Sequence, residues 1–363
     1  MRLATTVPTG DPRRSGALFA ELEALGYDTA FSFESKHDPF LPLALASTTT
    51  SALRLGTAVA IGFARNPMVL ANVAYDLQVI TEGRFVLGLG SQVRPHIEHR
   101  FSETWSHPAA RMAEMVRAIK AIWATWEGEG PLDFRGRFYD HTIMIPAFDP
   151  GPNPFGPPPV FTGGFGPRMT EVAGEVADGF IVHPFHTPES LRAGTLPALA
   201  RGLDRSGRTL DDFEVVLVTM VVTWDEGDGD GEVRARASLA DQLAFYGSTP
   251  AYVPTLAAHG WEGLHPELNR LSKEGRWSEM GALVPDELME AVAVVGPRPE
   301  VAARLAERAA GVDLPRATVS LVNNRHPDPG HFGDIVADLR RVGLGHEPRP
   351  GAGGGGAGGH RPT

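Results

Sequence analysis

Residues 53–92 read LRLGTAVAIGFARNPMVLANVAYDLQVITEGRFVLGLGSQ, and this stretch decides the fold. It begins and ends with short apolar runs rich in β-branched residues, the first of them at 55–61. Between the two runs, Asn66 and Pro67 are the residues preferred at the cap and the first position of a helix, which the apolar periodicity extends to about Thr81. A strand, a helix and a second strand in this order predict a βαβ unit of a parallel sheet.

The same alternation continues along the rest of the chain. Eight strand-like runs occur within residues 1–345, and stretches of helical period lie between most of them. This number of strands predicts an α/β fold, a (β/α)8 TIM barrel with insertions, rather than a doubly wound sheet. The predicted strands are 3–7, 29–33, 55–61, the run after Gly83, 159–162, 180–182, 215–223 and 318–322.

Residues 1–345 are expected to form a single domain. The helical stretch 232–288 is the largest insertion and precedes the last βα unit. Segment 127–157 is rich in glycine and proline, and a loop of this length in a compact domain usually has a function. Residues 346–363 are glycine-rich and lack apolar periodicity, so we expect a disordered tail.

Composition excludes several classes of protein. The chain has 363 residues and no cysteine, which rules out disulfides, Cys-ligated zinc, iron–sulfur clusters and a thiolate nucleophile. Its 33 Lys and Arg against 44 Asp and Glu give a formal net charge of −11. Nucleic-acid binding depends mainly on clustered positive charge, so no nucleic-acid partner is expected.

The location of the protein is predicted from two features. The first residues, MRLATTVP, lack the charged and apolar regions of a signal peptide. No segment has the roughly 18 uninterrupted apolar residues of a membrane span. We therefore expect a cytoplasmic protein that makes no contact with a membrane.

In a TIM barrel the functional residues follow the C-terminal ends of the strands. After the fifth predicted strand, residues 163–168 read GGFGPR and lead into a helix. The backbone N–H groups of such a turn point to one spot at the positive end of the helix, which favours an anion, and Arg168 would add a charge. The alternative is that the glycines only allow a sharp turn.

Two polar side chains after the second strand are candidates for proton transfer, namely Glu34 and His37. Their alternatives are a salt bridge from Glu34 to Lys36 or Arg65 and a hydrogen-bonded loop position for His37. The histidine pairs at 96 and 99 and at 183 and 186 have neither an HExxH pattern nor a cluster of carboxylates nearby. No metal site is predicted.

Several segments together resemble the luciferase-like monooxygenase superfamily, in particular its actinobacterial branch of coenzyme F420-dependent oxidoreductases. The matching residues occur in the same order as in that branch and extend over nearly the whole chain except the tail. They are LEALGYDTAFSFESKHDPFLPLALAS (22–47), the stretch 53–92 quoted above, GGFGPRMTEVAGEVADG (163–179), LAFYGSTPAYVPTLAAHGW (243–261), GRW (275–277) and VVGPRPEVAARL (294–305).

The resemblance implies that a flavin or deazaflavin ring lies in the barrel mouth, with its phosphate at the turn after strand five. It also implies a bulge with a non-proline cis peptide at the end of strand three, which by position falls within 60–62. In this chain Glu34 and His37 depart from the family's usual adjacent Asp-His order. The cofactor-binding residues implied are Ala60, Ile61, Gly62, Gly90, Gln92, Gly163, Gly164, Phe165, Gly166, Arg168 and Met169.

The leading hypothesis is an oxidoreductase that transfers a hydride between coenzyme F420 and a small organic substrate, with Glu34 or His37 handling the proton. By resemblance, the protein is expected to be a homodimer. One alternative is an FMN-dependent monooxygenase of the same superfamily that uses dioxygen. Another, of a different class, is a barrel that binds a cofactor without catalysis.

Overall fold

The computed structural model describes residues 1–8, 10–322 and 329–345, so the tail predicted at 346–363 lies outside the described residues. Eight parallel strands form a closed barrel, which confirms the predicted (β/α)8 architecture. Each strand pairs with the next along the chain, and the last pairs with the first, with Arg2 beside Thr318. The strands are β1 (Arg2–Pro8), β2 (Thr29–Phe33), β3 (Arg54–Thr57), β4 (Phe85–Gly90), β5 (Val160–Gly164), β6 (Gly179–Val182), β7 (Glu214–Trp224) and β8 (Ala317–Val322).

Helices surround the barrel. They are α1 (Ser15–Leu25), α2 (Leu41–Ser47), α3 (Pro67–Ile80), α4 (Arg94–His99), α5 (Pro108–Trp126), α6 (Pro167–Val176), α7 (Pro188–Ser190), α8 (Leu196–Arg205), α9 (Gly229–Gly247), α10 (Val253–Ala257), α11 (His265–Lys273), α12 (Trp277–Met280), α13 (Asp286–Val292), α14 (Arg298–Ala310) and α15 (Gly333–Arg341). A π-helical turn, Leu191–Thr195, joins α7 to α8. Single 3-10 turns occur at Pro12–Arg14, Gly62–Ala64, Pro146–Phe148, Leu210–Asp212, Pro250–Tyr252, Glu262–Leu264, Gly281–Leu283 and Pro329–Phe332.

Local sequence signals place several helix ends. The Asn66 side chain accepts a hydrogen bond from the Val69 N–H, as the predicted cap of α3 requires. Gly26 follows α1 at φ 95°, a left-handed conformation that glycine adopts at no steric cost. The predicted cap at Asn66 is confirmed.

The third strand differs from its prediction. The sequence predicts one strand over 55–61, but β3 ends at Thr57 and a separate pair, Ala60–Ile61, lies beside Leu89 and Gly90 at the end of β4. The peptide bond between Ala58 and Val59 is cis. The expected bulge therefore exists but begins two residues before the predicted 60–62, because the chain leaves the β3 register immediately after Thr57.

The barrel interior contains an apolar layer, and buried charged groups lie below it at the N-terminal ends of the strands. Inward-facing side chains from β1, β2 and β4 to β7 form the layer, with Phe31 and Phe161 as its largest members. At the N-terminal ends of the strands, the Glu214 carboxylate accepts hydrogen bonds from Arg2 (2.9 Å), Arg54 (2.8 Å) and Thr318 (2.7 Å). These groups close the end of the barrel opposite the mouth.

The long segment between β7 and α14 lies on one side of the mouth. Helices α9 to α13 come before a short strand, Val294–Pro297, which pairs with the C-terminal end of β7. Their apolar side chains form a core of their own, including Leu243 and Leu256, that also contacts Phe185 and Met220. This packing fixes α9 beside the C-terminal end of β7.

The glycine- and proline-rich segment 127–157 is anchored to α5. It contains a small hairpin, Phe134–Arg135 with Asp140–His141. The Glu114 carboxylate on α5 accepts the backbone N–H groups of the hairpin turn, those of Arg137 (3.0 Å), Phe138 (2.6 Å) and Tyr139 (2.8 Å). Across the described part of the chain, no helix is both long enough and apolar enough to cross a membrane.

Candidate active site at the barrel mouth

Val59 forms part of the floor of the mouth. A Cβ on Gly90 would lie 2.5 Å from Val59 Cγ2, and one on Gly163 would lie 2.9 Å from Val59 Cγ1. The two glycines therefore leave room for this side chain between the ends of β4 and β5. Val59 is half-buried and packs on the apolar interior layer, which gives the mouth an apolar floor that would support a planar ring.

The residues next to Val59 have a different role. Ala60 and Ile61 are buried in the layer between the barrel and the helices. A Cβ on Gly62 would lie 2.9 Å from Met115 Sδ, so the close approach at this glycine is made to helix α5. The segment thus contributes Val59 to the mouth, a residue the sequence argument did not single out.

The turn after β5 has the geometry of an anion site. Gly166 precedes α6 with φ 89° and ψ 151°, and no atom lies within 4 Å of the position a Cβ would occupy. Pro167 is the first residue of α6, so the Arg168 and Met169 N–H groups precede the first possible intrahelical hydrogen bond. These two donors at the positive end of the helix fit a phosphate group.

The side chains of this turn do not add to the backbone donors. Arg168 is mostly exposed and extends to Glu171, with Nη1 and Oε2 3.5 Å apart. Met169 is buried and occupies the space beside Gly164 where a Cβ would lie. The charge predicted from Arg168 is therefore directed along α6 rather than into the turn.

Glu34 is held by the segment after β3. Its Oε2 accepts hydrogen bonds from the Ile61 N–H (2.8 Å) and from Arg65 Nη1 (2.6 Å). Arg65 also pairs with Asp38 at 3.1 Å. The salt bridge considered from the sequence is thus formed with Arg65, and it joins the loops after β2 and β3. His37, by contrast, is exposed.

Gln92 follows β4 in a left-handed conformation, with φ 58°. Its Oε1 accepts the N–H of the next residue, Val93, at 3.0 Å. The side chain therefore turns back on its own backbone. Of the predicted cofactor residues, the structure brings Gly90 and Gly163 together around Val59, whereas the Gln92 and Arg168 side chains are engaged elsewhere.

An aromatic wall, defined here as Phe165, His183, Tyr246 and Tyr252, borders the turn after β5. His183 stacks on Tyr252 with ring centroids 4.5 Å apart, and Phe165 meets Tyr252 edge-on at 4.7 Å. His183 Nδ1 accepts the Phe185 N–H, so its Nε2 carries the proton and donates to Tyr252 Oη at 3.1 Å. His183 directly follows the sixth predicted strand, a position at which functional residues are expected in this fold, and it lies two residues after the inward-facing Ile181. The sequence did not indicate its contacts with the aromatic rings.

Two histidines after β6, the half-buried His183 and the buried His186, are held in the neutral form. Burial lowers the pKa of His183 to about 4. Burial, with the neighbouring Arg308 charge second, lowers the pKa of His186 to about 3. Neutral imidazole is therefore part of the packed structure at this edge of the mouth.

This burial predicts loss of stability in acid. An unfolded histidine binds a proton near pH 6.5, whereas His183 and His186 do so only near 4 and 3. Between these values the unfolded chain binds more protons than the folded chain. For each unit by which the pH falls, the free energy of unfolding therefore decreases by about 1.4 kcal/mol for each histidine. Urea unfolding at about pH 7 and about pH 5 measures this slope.

The variant His186→Asn retains a donor in the place of Nδ1 and is expected to have a shallower slope. The matched control is His99→Asn at an exposed position, which is expected to keep the full slope. Equal slopes in the two variants would contradict the assignment of this pH dependence to His186.

Comparisons with known proteins agree with the barrel fold. A model of the luciferase-like monooxygenase family matches residues 2–313. An uncharacterized protein of Mycobacterium tuberculosis is 50% identical over 313 residues, which are 86% of this chain and 91% of that protein. The F420-dependent glucose-6-phosphate dehydrogenase of Nakamurella multipartita is 30% identical over 225 residues, 59% of this chain and 64% of that one.

A solved structure gives the same fold. The coenzyme F420-dependent tetrahydromethanopterin reductase from Methanopyrus kandleri has a TM-score of 0.72 at 20% identity and covers 93% of this chain and 98% of that chain. The family model covers most of the chain, including all of the mouth residues described from Glu34 to Tyr252. The chain belongs to the luciferase-like monooxygenase family.

Proposed function

We propose that this protein is a coenzyme F420-dependent oxidoreductase that transfers a hydride between the deazaflavin and a small organic substrate. The observation that carries the proposal is the placement of the glycine-rich turn, where the Arg168 and Met169 N–H groups precede the first intrahelical hydrogen bond, beside an apolar floor at Val59. A cofactor with a planar ring and a phosphate needs both features. The F420-dependent relatives support the choice of a deazaflavin.

The residues of the mouth have separate roles in this proposal. When bound, the deazaflavin supplies a site that gives or accepts a hydride. The turn 163–169 binds the phosphate through its backbone, and Val59 supports one face of the ring. Glu34 and Arg65 hold the segment that carries Val59 in place, because Glu34 is bonded to the Ile61 N–H. His37 is exposed after the C-terminal end of β2, so we assign the proton transfer to it.

Titration of the purified protein with coenzyme F420, followed by the fluorescence of the deazaflavin, tests the proposal. Saturable binding is expected, and FMN is expected to bind more weakly under the same conditions. Tight FMN binding without deazaflavin binding would overturn the proposal. Oxygen consumption with reduced FMN would then identify the alternative, an FMN-dependent monooxygenase. Binding of F420 without turnover of any tested substrate would leave the non-catalytic barrel as the better description.

The roles of Glu34 and His37 are separable by mutation. His37→Ala is expected to lower kcat by about a hundredfold, as for loss of a general acid, with unchanged affinity for F420. Glu34→Ala is expected to weaken F420 binding, because the Ile61 N–H and Arg65 lose their acceptor. Steady-state kinetics and fluorescence titration of both variants measure this split. A fall in kcat for Glu34→Ala with normal F420 binding would instead assign the proton to Glu34.

We further propose that the protein is a homodimer that acts in the cytoplasm on a small-molecule substrate. Apolar side chains are exposed on the adjacent helices α2 and α3, with Leu41 63% exposed and Val69 51% exposed. Exposed apolar patches of this kind often mark an interface between copies. Sedimentation of the wild type and of a Leu41→Glu variant tests the dimer, which the charge is expected to dissociate.

A further inference from the structure

A second cavity lies beside the mouth, at the C-terminal ends of β7 and β8. Its volume is about 380 Å³, within the range of pockets that hold small molecules. Met220, Val222 and Val322 contribute apolar surface to it. Gln242, which lines the cavity, donates a hydrogen bond to Tyr246 of the aromatic wall, so the cavity adjoins that wall of the mouth. A molecule in this cavity would lie beside the aromatic wall at the C-terminal face of the barrel.

One face of α9 lines the cavity with neutral polar groups. Ser238 and Gln242 are one turn apart on the helix and both face the cavity. Gln242 Nε2 donates to Tyr246 Oη at 3.1 Å, which fixes the amide and leaves its Oε1 as an acceptor. Among the described residues, neither Ser238 Oγ nor Gln242 Oε1 has a hydrogen-bond partner. The two groups offer one acceptor and one hydroxyl to a ligand.

The charged groups around the cavity are already paired. Arg298 contacts Asp225 at 3.1 Å and Asp334 at 3.0 Å, and its Nη2 lies 2.9 Å from His331 Nδ1. Arg234 lies 3.6 Å from Asp228. Of the described lining residues, two are acidic and two are Arg, so their formal charges cancel. Both of these arginines already have an acidic partner, so an anionic ligand would compete with that partner for the guanidinium.

The Trp224 side chain also lines the cavity and is partly exposed. An indole ring offers a large, rigid and flat apolar contact. It packs well against another flat or cyclic group. Hydrogen bonds to the two neutral polar groups of α9 would fix the orientation of that group. Shape, charge and polarity thus favour the same kind of molecule.

We infer that this cavity is the substrate pocket and that it takes an uncharged cyclic compound bearing a hydroxyl or carbonyl group. This inference rests on the proposed function and specifies its substrate class. Ser238 and Gln242 bind the oxygen of the substrate, and Trp224 packs against its ring. The paired charges of Arg298 and Arg234 make the pocket select against carboxylates and phosphates.

Calorimetric titration with matched probes tests the inference. The neutral probes are 2-naphthol and 2-tetralone, and the anionic probe of the same ring system is 2-naphthoate. Neutral probes are expected to bind at least about tenfold more tightly than 2-naphthoate near pH 7. Binding of 2-naphthoate with equal or greater affinity would overturn the inference, and so would failure of both neutral probes to bind.

Two variants on adjacent positions of α9 locate the binding. Ser238→Phe fills the cavity and is expected to lower the affinity for the neutral probes by at least about tenfold. Ala237→Phe places the same side chain at an exposed position and is expected to leave the affinity unchanged. Equal affinities in the two variants would overturn the inference.

F420 titration of the same variants separates the two proposals. If Ser238→Phe binds F420 normally but not the neutral probes, the pocket and the cofactor site are distinct and both proposals stand. If the wild type binds F420 but none of the neutral probes, the substrate inference fails and the proposed function stands. If it binds the neutral probes but not F420, the proposed function fails.

Discussion

Gly166→Ala is expected to weaken the binding of F420 by about tenfold to about a hundredfold. The residue has φ 89° and ψ 151°, a conformation that an L residue adopts only with a strain of about 1–3 kcal/mol. Relief of that strain moves the turn and with it the N–H groups of Arg168 and Met169. Each loss of about 1.4 kcal/mol in binding is a factor of ten in affinity. Fluorescence titration of the deazaflavin measures the change.

Gly128→Ala is the matched control. Gly128 also has a positive φ of 81° and open space around the position of a Cβ, but it follows the C-terminal end of α5, away from the mouth. The two variants are expected to lose similar stability, whereas only Gly166→Ala loses affinity for F420. Normal F420 binding by Gly166→Ala would show that the phosphate is held elsewhere.

Glu214→Ala is expected to lower the free energy of unfolding by about 3–5 kcal/mol, the usual cost of removing one partner of a buried ion pair. Arg54 would lose its acceptor within the barrel, where the Glu214 side chain is only 4% exposed and that of Arg54 19%. Urea unfolding measures the loss. The control Glu300→Ala removes a surface pair with Arg304, both about half-exposed, and is expected to cost less than about 1 kcal/mol. Similar losses in the two variants would contradict a structural role for the buried cluster.

The same cluster adds to the loss of stability in acid. Burial alone would raise the pKa of Glu214, but the Arg54 charge and the hydrogen bonds from Thr318 and Arg54 outweigh it and lower the pKa. A carboxyl group whose pKa is lowered by folding stabilises the protein above its unfolded pKa, and this contribution is lost as the pH falls through the folded value. Glu214→Ala is therefore expected to be less sensitive to pH below about pH 4.5 than the wild type.

The sequence predicted the strands and helices well where local signals are strong. The cap at Asn66, the glycine at 26 and the amphipathic period of 108–126 each act within a few residues, and the observed helices begin or end there. The prediction was wrong at 55–61, because an apolar run does not indicate at which residue the chain stops pairing with the adjacent strand. The break after Thr57 is set by pairing with β4, which lies almost thirty residues further along the chain.

For the candidate site, the sequence located the glycine-rich turn at 163–166 because a turn of this kind is a local feature. It named Glu34 and His37 as alternatives for proton transfer, and only the tertiary structure shows that Glu34 is bound to Arg65 whereas His37 is exposed. Arg65 lies thirty-one positions from Glu34 and reaches it because β2 and β3 are neighbours in the barrel. The difference in exposure of Glu34 and His37 follows from that contact.

The sequence by itself determined the barrel and the position of the glycine-rich turn, because apolar period, helix caps and such turns depend on neighbouring residues, and the resemblance of several segments indicated the family. The tertiary structure alone decided that Val59 forms the floor, that His183 and Tyr252 form a wall, and that α9 and Trp224 line a cavity. These contacts join residues far apart in the chain. They arise when closing of the barrel brings all the strand ends to one face and packing of the 225–293 segment places α9 against that face.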